Sequence, residues 1–480
     1  MIRSASLEAT WPERTAIAVI GVPVALFFVT WYRPLVGIPG SVVALWGTWT
    51  LMNSIRPSRM PSRRALLVLA LIAVGWTSTT GLGGLFQQMW DHNFRNALLH
   101  DLIENSWPVV WDTPRGTVAL DYYLAWSMVP ALVGKLLGWK AATLSTAVMA
   151  GGGVFLVLLL FARVVGTWRW WLGPVFLLWS GLDVMGWVVR GGFPGEAVFF
   201  ESWSLPLWYL SNQINFNCIS HLVVPSWIVT LLIVGRQIGP GGAVALSAFL
   251  VPLAPFQAIG VAPFVLWALL QGDGSTWQRV RRGFTLENVL VPLVFLAICA
   301  PLYMANQGAG VHSGWFYELA PSPTLRTWVK FASFWILEIL LPSAAIWFAK
   351  QRDGLLILAV AVLCVIPLRR AGLSNDLALK VSVPGLLILT LYTARAFLSS
   401  PKGWARWFLV GVFTLGSVTP LYELWVSIRL TRENRGSLEV DGIRTFDPTR
   451  PPDFAEGDFL VNFRSKPLED VPALKWMLDR

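Results

Sequence analysis

The sequence predicts an all-α, polytopic transmembrane helical bundle, and three observations carry that prediction. Of 480 residues, 55% are hydrophobic and 13% charged, against roughly 45–50% and about 25% in an ordinary soluble domain. The apolar residues run in continuous stretches rather than alternating, which excludes a membrane β-barrel. The 28 tryptophans suit many membrane–water boundaries, where their amphipathic rings settle. Folded in water, so apolar a chain would expose large greasy patches, whereas lipid admits helices that are apolar on nearly every face.

A helix crosses the ~30 Å hydrocarbon core with about 20 residues. On that measure about 13 spans are expected. In order they are Thr15 to Tyr32, Ser41 to Asn53, Ala65 to Leu82, Thr143 to Ala162, Trp171 to Val189, Leu222 to Gly235, Ala243 to Leu253, Phe256 to Leu270, Leu290 to Met304, Trp328 to Phe348, Gly354 to Leu368, Val381 to Phe397 and Trp404 to Val426. The first is too long for a cleaved leader and is read as an uncleaved helix. Ala243 to Leu253, backed by Pro252 and Pro255, is a candidate half of a re-entrant hairpin. Leu120 to Leu137 is kept out of the count, because crossing there would put Arg163 and Arg169 outside, against the preference of Lys and Arg for the cytoplasmic side. It is expected in the outer interface, anchored by Tyr122, Tyr123 and Trp126, with a plain transmembrane helix as the alternative.

This topology puts Arg56, Arg59, Arg63, Arg64, Arg236, Arg279, Arg281, Arg282, Lys350, Arg352, Lys402 and Arg406 inside. The N-terminus is then cytoplasmic and the C-terminus extracytoplasmic. Residues 1–428 form the transmembrane domain, with an outer loop at 84–141 that carries interfacial helices, and 429–480 an extracytoplasmic tail or small cap. The net charge of +10 lies largely in short loops, so it argues for membrane lipids as partners and not for nucleic acid. Cys218, Cys299 and Cys364 are scattered, which supports neither a disulfide framework nor a thiolate zinc site. No GxxxxGK[ST] phosphate loop is present. Gly151 to Gly153 lie inside an apolar span and fit close helix packing.

All four histidines, His92, His100, His221 and His312, fall on the expected outer side, which is where chemistry is sought. Three outer segments carry it. In QQMWDHNFRNALLHDLIENSWPVVW, with Asp91 as helix cap, Phe94, Leu98 and Leu102 make an apolar stripe for the membrane, and Asp91, Arg95, His100, Asp101 and Glu104 make a polar face. A solvated face with Asp91 as a mere cap is the alternative. The stretch from Arg190 to Trp227 combines aromatics with Glu196, Glu201, Tyr209, Asn212, Gln213 and His221, a set suited to sugars and equally to an interfacial belt. The third, LRRAGLSNDLALKVSVP, sets Arg369, Arg370 and Lys380 on the side where positive charge is disfavoured. A lipid phosphate would account for that, because guanidinium and ammonium groups neutralise a leaving phosphate; generic anionic-lipid binding or pairing with Asp376 would account for it too.

These segments carry a resemblance. An outward acidic loop, then an interfacial Tyr-Tyr helix, then many spans resembles the GT-C superfamily of membrane glycosyltransferases that use polyprenyl-phosphate sugars. The matching pieces are Asp91, Asn96, Asp101 and Pro108; Glu201, Ser211, Asn212, His221 and Trp227; and Asn375, Asp376, Lys380, Ser382 and Pro384. They cover under half of the chain, best over Gln87 to Trp227 and Leu368 to Leu387. Two departures stand out: an extra hairpin at Thr15 to Asn53, and a lysine at Lys380 where an arginine is expected, which keeps the charge and loses the fork.

The resemblance implies an inverting glycosyltransferase, a hexosyl- or pentosyltransferase in the bacterial inner (plasma) membrane, that moves a sugar from a polyprenyl-phosphate donor to a glycan or lipid acceptor in the cell envelope. Asp91 would be the general base, and Arg369, Arg370 and Lys380, with Arg95, would take the phosphate. Arg95, His100, Asp101, Glu104, Glu201, Asn212 and His221 would bind substrate. A divalent cation, Mg or Mn, held by Asp91, Asp101 or Glu104, is an open question without a compact ligand motif to answer it. The rival classes are a lipid-linked saccharide transporter, a polymerase or ligase using diphosphate-linked glycans, and a non-catalytic assembly subunit. Glu338, mid-span, is expected to be protonated or paired, and the tail, with Asp447, Asp453, Glu456 and Asp458, either caps the site or is a solvated linker.

Overall fold

The computed structural model describes residues 8–55, 57–59, 61–193, 199–308, 313–319, 324–372, 375–399, 401–433, 444–450 and 460–479. Arg56, Glu196, His312, Asp453, Glu456 and Asp458 lie outside the described residues. What is described is an all-α helical membrane protein with three two-stranded ladders. Among the described residues seven helices are long and apolar enough to cross a membrane: Trp11–Trp31, Pro34–Ser54, Trp139–Val165, Asn212–Val234, Leu286–Ala305, Thr327–Phe348 and Trp404–Glu433. Five shorter apolar helices accompany them, Ala125–Leu137, Pro240–Leu253, Pro255–Leu269, Gly354–Leu368 and Val383–Leu398.

The buried middle is the Asn212–Val234 helix, every residue of which is enclosed by the others. Its aromatics tie it to two neighbours: Phe216 sits 4.8 Å from Trp76, and Trp227 sits 5.1 Å from Phe176. Several tryptophans are thus core residues, while Trp49, Trp170, Trp277, Trp404 and Trp407 are exposed as boundary residues would be. Gly151 and Gly153 let the Trp139–Val165 helix approach Thr77 and Val224; a Cβ on Gly153 would collide with Val224. A buried pair between Glu13 and Arg163 joins the first helix to the same element.

Three expected spans have other boundaries or another form. The second helix is Pro34–Ser54, longer than the expected Ser41 to Asn53, because Pro34 opens a helix that Pro39 does not end. The expected span Trp171 to Val189 is broken into Leu172–Leu177 and Asp183–Arg190. Between them Leu182 donates its N–H to the Leu337 carbonyl, and Asp183 accepts from Ser180 and Thr419 at 3.0 Å each. Irregular backbone at that depth is tolerable because protein surrounds it. The Ala243 to Leu253 span is the longer Pro240–Leu253, and Ala254, at φ −158°, ψ 69°, parts it from Pro255–Leu269 where Pro252 and Pro255 led a break to be expected. Met128–Leu137 has 10 residues, about 15 Å of helix, half of what a crossing needs.

Candidate functional site

A cavity of about 410 Å³ is lined by the Asp91–Glu104 helix, residues 121–123, the start of the Asn212–Val234 and Pro255–Leu269 helices, residues 371–372, the helix Asp376–Val381 and the C-terminal segment at Asn462 and Phe463. Asp91, Arg95 and Lys380 share it. Residues more than 280 positions apart in the chain, read separately as acidic and basic motifs, therefore face one space.

Asp91 reaches the cavity because of where its helix starts. It is not the cap: Trp90 holds the cap position without a side-chain capping hydrogen bond, and Asp91 is the first helical residue. A capping role would have tied its carboxylate to a backbone N–H; at the first turn it still gains from the helix dipole while facing the cavity. One turn on, Arg95 donates to the Asn217 carbonyl at 3.4 Å. The stripe of Phe94, Leu98 and Leu102 is buried against protein, not laid on lipid: Phe463 lies parallel to Phe94 with ring centroids 5.8 Å apart, and stacks on Tyr122 and Phe446 at 4.4 and 4.1 Å. His92, behind the stripe, is held neutral, its imidazole pushed down to about 3 by burial and by the Arg95 charge.

Lys380 joins the cavity lining from the short helix Asp376–Val381. Asn375, in the left-handed conformation at φ 56° that asparagine tolerates, caps that helix through the Ala378 N–H and ties it to the Pro206 carbonyl at 2.9 Å. The Lys380 ammonium pairs with Asp376 at 2.7 Å and lies 5.1 Å from the Tyr123 ring centroid and 5.5 Å from that of Phe256. Burial works against its charge, but Asp376 and then Tyr123 outweigh burial, so the ammonium stays protonated. Tyr122 and Tyr123 remain neutral phenols because burial raises both more than Lys380 lowers them.

The other expected site residues lie elsewhere. Asp101 accepts from the Thr445 hydroxyl and the Phe446 N–H, both at 2.6 Å, so it anchors the C-terminal segment. His100 is 3.5 Å from Asp101 and edges onto Trp139, while Glu104 is exposed. Glu201 accepts from the Ser211 N–H at 2.7 Å, inside a buried group with Asp183 and Glu423. Asn212 donates to the Phe176 carbonyl at 2.7 Å and braces the bundle. His221 is buried one turn past Cys218, its ring 6.2 Å from that of Tyr122, with neither nitrogen hydrogen-bonded among the described residues. Arg369 and Arg370 form a two-residue strand paired with Gly314 and Trp315. The Arg369 guanidinium covers Trp315 at 5.8 Å, and Arg370 donates to the Gly372 carbonyl at 3.4 Å. Of the three expected phosphate cations, Lys380 is the one that lines the cavity.

Asp121 lines the cavity too, and nothing singled it out in the sequence, where it reads as a polar break between the apolar Leu120 and two tyrosines. Among the described residues no three His, Cys, Asp or Glu side chains converge as metal donors. Asp91, Asp101 and Glu104 in particular point to three different surroundings and do not form a divalent-cation set. A second groove, of about 470 Å³, lies behind the 203–207 segment and is lined by Trp203, Phe331, Arg190 and Lys330 among others. No family model, curated protein or solved structure matches the chain.

Proposed function

We propose that the protein is an inverting glycosyltransferase with a GT-C-type bundle, which moves a sugar from a polyprenyl-phosphate donor to a hydroxyl of a glycan or lipid acceptor. In this proposal the cavity opens to the extracytoplasmic face of the bacterial plasma membrane, the N-terminus is cytoplasmic and the C-terminal segment lies outside. The observation that supports it is the shared cavity: a carboxylate at Asp91 and cations at Arg95 and Lys380, on walls that are otherwise mostly aromatic and aliphatic. Such a space suits a ligand that is part lipid, part sugar and part phosphate.

In the proposed step, the acceptor hydroxyl gives its proton to the Asp91 carboxylate as its oxygen attacks the anomeric carbon. The bond from that carbon to the phosphate oxygen breaks, and its electron pair leaves with the phosphate. Lys380 and Arg95 neutralise the charge that develops there. Attack opposite the leaving group inverts the anomeric centre. Two cations, one already paired with Asp376, match a monophosphate carrier better than a diphosphate.

The test is donor consumption by the full chain in lipid nanodiscs, with a panel of sugars on polyprenyl monophosphate and on polyprenyl diphosphate. Monophosphate donors are expected to be consumed, and Asp91→Asn to slow the step by about 10²–10⁴-fold. Turnover by Asp91→Asn at the wild-type rate, or use of diphosphate carriers alone, would overturn the assignment.

A further inference from the structure

The lining of the cavity includes a carboxyl that the proposed reaction does not use. Asp121 is 0% exposed, yet it lines the cavity beside Tyr123, Tyr303 and Asn306. Its backbone N–H is committed to the Phe463 carbonyl at 3.0 Å. Neither carboxyl oxygen has a hydrogen bond of normal geometry among the described residues. The neighbouring polar side chains are engaged with backbone groups instead. Asn306 donates its amide to the Asn462 carbonyl and accepts from the Gly308 N–H, both at 2.9 Å, and the Tyr303 hydroxyl donates to the Val251 carbonyl at 2.8 Å. Burial pushes the Asp121 carboxyl well above the ordinary range, opposed by the Asn306 side chain.

A buried carboxyl left without a partner costs the fold on the order of a few kcal/mol, so its place on a cavity wall calls for a ligand that completes it. The surroundings say which kind. A cation would need further donors, and none converge here among the described residues. The side walls are rings: Tyr123 and Tyr303 lie 6.4 Å apart at 67°, and Tyr123 meets Phe256 at 86°. A hydroxyl-rich ring ligand meets both requirements, since its apolar faces pack on rings and its hydroxyls pair with a carboxyl.

We propose that Asp121, which shares the cavity lining with Tyr123 and Tyr303, is the hydroxyl-reading residue of a sugar subsite in the cavity. This rests on the cavity being the place where a lipid-linked sugar binds, and it assigns which wall discriminates among sugars. Asp121 acts in binding and specificity; the proton of the acceptor goes to Asp91. A site built to hydrogen-bond a hydroxyl rejects an analogue lacking it, because the buried group is then left unpaired again.

The experiment compares the wild-type full chain in nanodiscs with Asp121→Leu and Asp121→Asn. Probes are methyl glycosides of common hexoses and pentoses and their monodeoxy analogues, with binding read by saturation-transfer NMR and folding by the thermal midpoint. At least one glycoside is expected to saturate the wild type and to bind Asp121→Leu at least tenfold more weakly. Asp121→Asn keeps part of the affinity, and one monodeoxy analogue loses its discrimination in Asp121→Leu. The midpoint of Asp121→Leu stays equal or rises, since no partner is lost. A fallen midpoint, unchanged glycoside affinity, or no glycoside binding to the wild type overturns the proposal. Asp121-dependent glycoside binding by a protein that consumes no polyprenyl-phosphate sugar sinks the transferase and leaves this subsite standing; transfer by Asp121→Leu with unchanged KM and kcat does the reverse.

Discussion

Replacing Lys380 with methionine separates its structural role from its proposed chemical one. The ammonium and the Asp376 carboxylate are 2.7 Å apart, with side-chain exposures of 9% and 21%. Removing one member of a buried pair costs about 3–5 kcal/mol, because the other charge is stranded. Asp376 keeps a fifth of its exposure, so the lower end, about 3 kcal/mol, is expected for Lys380→Met. Asp376→Asn on top of it removes the stranded charge and should return most of that stability. The donor phosphate gains nothing from the second change. A hydrogen bond to a charged group is worth about 1.5–3 kcal/mol, which is roughly a 10- to 100-fold loss in kcat/KM for both variants. The assay is thermal unfolding beside single-turnover consumption of a polyprenyl-monophosphate sugar in nanodiscs. Recovery of turnover together with stability in the double variant would refute the phosphate role and leave Lys380 as a partner of Asp376.

Other consequences can be measured as directly. Asp101→Ala removes two 2.6 Å hydrogen bonds to Thr445 and Phe446; a loss of about 2–4 kcal/mol and faster proteolysis after residue 433 are expected, and unchanged cleavage would show that the tail is held by other means. His92 gives a pH dependence. The unfolded chain takes up a proton near pH 6.5 and the folded chain not until about 3, so stability falls as pH drops through that window. At 1.36 kcal/mol per pH unit, the loss by two units below the upper limit is about 3 kcal/mol. His92→Gln should flatten the thermal midpoint over that window, and an unchanged slope would exclude His92 as its source.

The membrane class and most helices were legible because continuous apolar runs need no partner to be recognised. Asp91 and Lys380 were legible as charges out of place, an acidic first turn and a cation on the disfavoured side. That the acidic helix and the basic segment share one hollow was expected from the sequence; that Lys380 and not the arginine pair lines it was not legible, since it depends on the Asn375 cap and the Pro206 carbonyl, a contact 169 positions apart in the chain. The break at Leu178 to Leu182 was hidden for the same reason: Thr419, from another helix, supplies one of the bonds that hold it. Asp101, Glu201 and Asn212 read as ligands because their polar type suits either a substrate or a backbone N–H, and the fold spent them on the backbone or on bracing. Arg369 and Arg370 read as phosphate cations because their expected outer position broke the charge rule; the structure holds them in a strand with Gly314 and Trp315. Asp121 left no pattern at all, being a single carboxyl beside aromatics whose isolation exists only after folding.

The most direct measurement is an experimental structure of the protein in nanodiscs with polyprenyl monophosphate. Phosphate density between Lys380 and Arg95, with Asp91 across the open space where the anomeric carbon would sit, is the predicted result. Phosphate seated instead in the groove of Arg190 and Lys330, with the Asp91 cavity empty, would contradict it.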